Sequence, residues 1–138
     1  MRRVWIVVLA VAFTLPLLSC GSSQADLDRA RAEGAAAQAE KVKGDAAVGS
    51  MISDLRSVAN EMETYFVDNQ AFPIPTQTGQ VVTVGTATVK VSASNTISNV
   101  AFGPGVVPGS YCLKAESTNS DDYWYYDSDA GGVATRCS

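Results

Sequence analysis

The chain has 138 residues, with 10 Lys and Arg against 14 Asp and Glu, a formal net charge of −4 and no histidine. That length holds one domain and an appended segment. An acidic balance lacks the clustered basic surface that nucleic acid requires, so no nucleic-acid partner is expected. The missing imidazoles remove the commonest general base and a common metal ligand.

Residues 1–19 have the order of an export signal: Arg2 and Arg3, an apolar stretch from Val4 to Leu18, and small residues around a cut between Ser19 and Cys20. The stretch falls short of the roughly 20 residues a spanning helix needs, and Pro16 interrupts it. The segment resembles the bacterial lipoprotein signal, in which the cysteine after the cut carries the lipid. Leu17 and Ser19 fit that pattern and Leu18 is larger than usual, while Gly21 gives no likeness to the enteric inner-membrane retention signal. The resemblance implies lipid attachment at Cys20 and membrane association through that lipid. The protein would then lie on the outer face of the cytoplasmic membrane in a Gram-positive organism, or on the outer membrane in a Gram-negative one. An ordinary secreted signal and a retained membrane anchor are the alternatives.

Residues 20–47 are expected to form a tether and a stalk. Gly21-Ser22-Ser23-Gln24 reads as flexible. From Asp26 the chain is rich in Ala, Glu, Lys, Arg and Gln, with Ala32, Ala35, Ala39, Val42 and Ala46 at helical spacing. Gly34, Gly44 and Gly49 each cost up to about 1 kcal/mol in a helix relative to alanine. A break is therefore expected near residues 44–49, with Asp45 or Ser50 capping a second helix.

Residues 48–138 are expected to form an α+β domain. Val48, Met51 or Ile52, Leu55, Val58 or Ala59, Met62, Tyr65 and Phe66 lie on one helical stripe, with Asp54, Arg56, Asn60, Glu61 and Glu63 mostly on other faces. Asn69, Gln70 and Phe72-Pro73-Ile74-Pro75 stop the helix. The period then changes to two: Val82 and Val84, then Val89, Val91 and Ala93 against Thr88, Lys90 and Ser92, with Gly85 between, predict a hairpin. An apolar run from Ile97 to Phe102 ends at Gly103-Pro104-Gly105, and Val106-Val107-Pro108-Gly109 reads as a further turn. Ser110 to Ala115 predicts a strand, Glu116 to Asp122 a polar loop, Tyr123 to Tyr126 an aromatic strand, Asp127 to Gly132 a turn, and Val133 to Cys137 a last short strand. The layout is a long N-terminal helix packed on a small antiparallel sheet. In an oxidising compartment Cys112 and Cys137 suit a bridge clipping the first and last strands of the C-terminal meander. Closing that loop is worth on the order of 3 kcal/mol; two separately buried thiols are the alternative.

From Leu55 to Pro73 the chain resembles the end of the long helix and the first loop of type IV pilins and type II secretion pseudopilins. The aromatic pair Tyr65-Phe66, the polar turn Asp68-Asn69 and the step Phe72-Pro73 follow in that family's order. Tyr111-Cys112, Tyr125-Tyr126-Asp127-Ser128, Gly131-Gly132 and Cys137 are similar to the C-terminal half of pilin-like proteins of Gram-positive bacteria. The basic leader ending in glycine, and the apolar helix starting with Phe with Glu at its fifth position, have no counterpart here. The resemblance therefore implies a pilin-like headgroup on a lipidated stalk, with pilins or secretion-system proteins as partners.

Asp121, Asp122, Asp127 and Asp129 read either as solvated turn residues or as a calcium site, since some pseudopilins bind calcium in C-terminal loops. Their spacing does not follow the EF-hand pattern, and no other cofactor is expected. Tyr123, Trp124, Tyr125 and Tyr126 put two aromatics on each face of a strand. One pair packs inward, leaving the other in a cross-strand ladder or free to bind a partner protein or a sugar. Without histidine, a Cys-x-x-Cys pair or a phosphate loop, and with Glu61 and Glu63 turned apart on a helix, no enzyme is expected. Two function classes follow: an accessory or adhesive component of a type IV pilus or type II secretion-like system, or a free-standing envelope lipoprotein that binds a protein or carbohydrate through its aromatic face.

Overall fold

A computed structural model of the chain describes residues 23–100 and 109–138. The lipid-attachment residue Cys20 and the turns expected between 103 and 108 lie outside the described residues.

Helix α1 (Gln24–Asn69) starts at a reciprocal cap. The Ser23 hydroxyl accepts from the Asp26 N–H at 3.3 Å, and the Asp26 carboxylate accepts from the Ser23 N–H at 3.2 Å, so two orphan donors are satisfied together. It ends where Gln70 turns left-handed at φ 54° and donates its N–H to the Phe66 carbonyl at 2.8 Å. The expected break near residues 44–49 does not occur. The glycine penalty is spread along a segment of strong helix formers, and Asp45 and Ser50 sit inside the helix with no free N–H groups to cap. Ser50 instead donates to the Ala47 carbonyl at 2.8 Å. The 46 residues make a rod of about 70 Å. Its half from Gln24 to Ala46 is exposed but for a half-buried Gly44, and burial begins at Ala47. Among the described residues no helix is long and apolar enough to cross a membrane.

Two antiparallel sheets, rather than the single one expected, pack on the second half of α1. The first runs β1 (Thr76–Thr78), β2 (Val81–Val84), β3 (Ala87–Lys90) in sequence order. The second runs β4 (Asn95–Asn99), β5 (Cys112–Ser117), β6 (Ser120–Asp127), β7 (Gly132–Ala134). The division follows from how the segment after β3 is held. The buried Asp54 carboxylate accepts from the Ser92 N–H at 2.9 Å and from Asn95 Nδ2 at 2.7 Å, pinning the chain to the helix before β4 begins. The Gln77 side chain stitches the sheets, donating to the Asn95 carbonyl at 3.0 Å and accepting from the Ile97 N–H at 2.6 Å. Strand β1 was not expected, because three polar residues carry no period. The hairpin β2–β3 is as expected, with Gly85 at φ 59° in its two-residue turn.

Met51, Leu55, Val58, Ala59 and Met62 of α1 meet Val82, Val84, Val91, Ile97, Tyr111, Leu113 and Ala115 in one core. Each Val, Leu, Ile or Met side chain among these contributes about 1.5–3 kcal/mol on full burial. The polar loop expected over 116–122 shrinks to a turn, since Ser117 pairs with Ser120. Cys112 and Cys137 form a disulfide with Cα atoms 6.2 Å apart. It joins the second strand of its sheet to the tail beyond β7, rather than the first strand to the last, because β4 adds a strand and β7 stops at Ala134.

Candidate functional site

Strand alternation sorts the aromatic residues of β6. Trp124 and Tyr126 turn toward the helix and pack against the core. Tyr126 lies parallel to Tyr111 at 6.0 Å between ring centroids, Tyr111 meets Phe72 at 4.6 Å, and Phe72 stacks on Phe66 at 4.5 Å. This ladder ties β6 to the end of α1. The Tyr111 hydroxyl donates to Glu63 Oε1 at 2.9 Å and to the Ala59 carbonyl at 3.3 Å. Burial, then the hydrogen bond to and charge of Glu63, push its phenol far above the ordinary value, so it remains a donor.

Tyr123 and Tyr125 face away from the helix. They touch edge to face at 5.8 Å along one strand, not across two strands, and Tyr123 is 52% exposed. Lys114 and Glu116 stand opposite them on β5. Lys114 Nζ lies 4.8 Å from the Tyr123 ring centroid and 2.6 Å from Glu116 Oε1. The hydrogen bond to Glu116 raises the Lys114 pKa above its ordinary value. The result is an outward face carrying two tyrosine rings, one cation and one carboxylate. Sequence reasoning did not include Lys114 and Glu116; their two-residue spacing was visible, but the strand register that sets them opposite the tyrosines was not.

The far end of this face is covered. Cys112 and Asp127, register partners there, are both buried, because the C-terminal tail crosses them. Cys137 is bridged to Cys112. The Ser138 N–H and hydroxyl donate to Asp127 Oδ2 at 2.7 and 2.6 Å, while the Asp129 and Ala130 N–H groups donate to Asp127 Oδ1. Burial alone would raise the Asp127 carboxyl, but these donors outweigh it and hold it below the ordinary carboxylate range.

The four aspartates proposed for calcium are not brought together. Asp121 and Asp122 occupy a bulge at the start of β6, left out of register between Tyr123 and Ser120. They border an open depression of about 350 Å³ with Tyr123, Trp124 and Thr135. Asp127 lies roughly 20 Å along the strand and is occupied by tail and turn donors. Among the described residues no three acidic or thiol side chains could hold a metal ion. Trp124 Nε1 is buried without a hydrogen-bond partner among the described residues.

No protein-family model, curated protein or solved structure matches the chain.

Proposed function

We propose that the chain is a non-enzymatic pilin-like headgroup, held at the bacterial envelope by a lipid on Cys20 and acting as an accessory or adhesive component of a type IV pilus or type II secretion-like system. The observation that carries this reading is the division of one continuous helix. Its first half stands bare, and its second half is wrapped by small antiparallel sheets closed by the Cys112–Cys137 bridge. A bare helical half lifts a domain away from an attachment point, and a disulfide suits an oxidising compartment. Of the residues that carry the sequence resemblance, Phe66 stacks on Phe72, and Phe72 meets Tyr111 at the start of the C-terminal half.

Exposed Tyr123, with half-buried Tyr125 and Lys114 beside it, favours a second reading, in which the headgroup works outside any filament as an envelope binding protein for a protein or carbohydrate. Crosslinking and affinity purification from native membranes, with mass spectrometry of the partners and of the N-terminal peptide, separates the two. Recovery of pilins or secretion-platform proteins with a lipidated Cys20 is expected. A lipidated chain recovered without them selects the second reading, and an unmodified Cys20 removes the anchor from both.

A further inference from the structure

Strand β3 is the outer strand of its sheet: β2 pairs with it on one side, and among the described residues no strand pairs with it on the other. The backbone groups that face the open side can be identified. Val91 donates its N–H to the Gln80 carbonyl at 2.9 Å, one step beyond the Val81–Lys90 register pair. Antiparallel alternation then directs the N–H and C=O groups of Val89 and Ala87 toward β2 and those of Thr88 and Lys90 toward the open side. The strand has no bulge and no proline, so these groups form a regular ladder edge.

At the turn end of this strand lies a groove of about 240 Å³ between the end of α1 and the β2–β3 turn, bordered by Glu61, Tyr65, Asp68, Val84, Thr86 and Ala87 among others, with Ala87 its β3 residue. Gly85 sits so close to the Tyr65 ring that any β-carbon would collide with it, which seats the turn against the helix. Among the described residues neither Glu61 nor Asp68 has an ion-pair partner. A strand laid along β3 would send alternate side chains toward α1 and these carboxylates.

We infer that the β3 edge and the α1 groove form a docking site for an extended peptide segment of a partner protein bearing lysine or arginine on its helix-facing side. Backbone pairing with Thr88 and Lys90 supplies affinity, and the carboxylates select the inward side chains. A second copy of this chain fits less well. Pairing β3 with β3 would offer the groove Ala87 and Val89, which carry no charge, and exposed Lys90 is the kind of edge charge that discourages self-pairing. The inference stands on the edge and groove alone and does not depend on the pilin-like reading.

The test uses the full chain in neutral detergent and a short capped peptide alternating lysine and valine, with a glutamate-for-lysine peptide as control. Saturable binding of the lysine peptide is expected, weakening with salt, with slowed hydrogen exchange at the Thr88 and Lys90 amides. Thr88→Pro removes an edge N–H that the β2 ladder does not use and is expected to weaken binding at least tenfold. Should that variant fail to fold, Glu61→Lys combined with Asp68→Lys serves instead, and is expected to reverse the preference toward the glutamate peptide. Equal binding by these variants, protection at β4 or β6 instead, no saturable binding, or the same amides protected by self-association without peptide would each overturn the proposal.

Discussion

Asp54 is 8% exposed on the helix face that packs inward, and no cation balances it among the described residues. Its side chain accepts from the Ser92 N–H and Asn95 Nδ2, and Asn95 Nδ2 also reaches Ser50 Oγ at 3.0 Å. Asp54→Ala removes the acceptor of buried Asn95 and half-buried Ser92 and is expected to cost about 3 kcal/mol, read as a lower urea midpoint at unchanged slope. Asp54→Asn keeps one acceptor oxygen and should lose less. Asp127 predicts a pH effect. Its folded carboxyl lies below the ordinary range, so the unfolded chain takes up the proton first as pH falls. The stabilisation is fully present above about pH 5 and is lost progressively as pH drops through the folded value. Denaturation midpoints between pH 6 and 2.5 should fall more steeply for the natural chain than for Asp127→Asn.

At the scale of elements, the β2–β3 hairpin depends on a close approach. Gly85 combines a positive φ with contact on the Tyr65 ring, so Gly85→Ala meets backbone strain and a steric clash together. A loss of about 2 kcal/mol is expected. In the Tyr65→Ala background the same substitution should cost only about 1 kcal/mol, because the clash has gone; the double-mutant cycle measures the difference. Helix α1 shows how position changes the meaning of similar sequence. Ala35, Ala39 and Val42 recur at helical spacing as Met51, Leu55 and Val58 do, yet Val42 is 68% exposed and Leu55 fully buried. The neighbours on each stripe separate them: Ala35 and Ala39 beside Val42 offer little area for a sheet to cover, whereas Met51 and Leu55 beside Val58 offer more.

For the whole molecule, the decisive closure is the tail folded back over the sheet. Cys112→Ser with Cys137→Ser removes a constraint worth about 3 kcal/mol, which in a domain under 100 residues corresponds to roughly 15 °C in melting temperature. Asp127 holds the same tail. Adding Asp127→Ala to the double cysteine variant should therefore cost less than it does in the natural chain, a subadditive result readable by thermal melting.

Residue spacing alone determined the α+β class, the apolar stripe from Met51 to Met62 and the β2–β3 hairpin, whereas the Cys112–Cys137 bridge was expected on the strength of the export-signal resemblance. Periodicity is a local signal that needs no knowledge of distant contacts. Packing decided the remainder. Helix formers absorbed three glycines without a break, and Asp54 was drawn inward by Ser92 and Asn95, 38 and 41 residues away. The Gln77 side chain joined two sheets where one was expected. Which tyrosines face outward, and which strand edge stays open, depended on register between strands. Register arises from the summed fit of many side chains across the core, and no short stretch of the chain contains that sum.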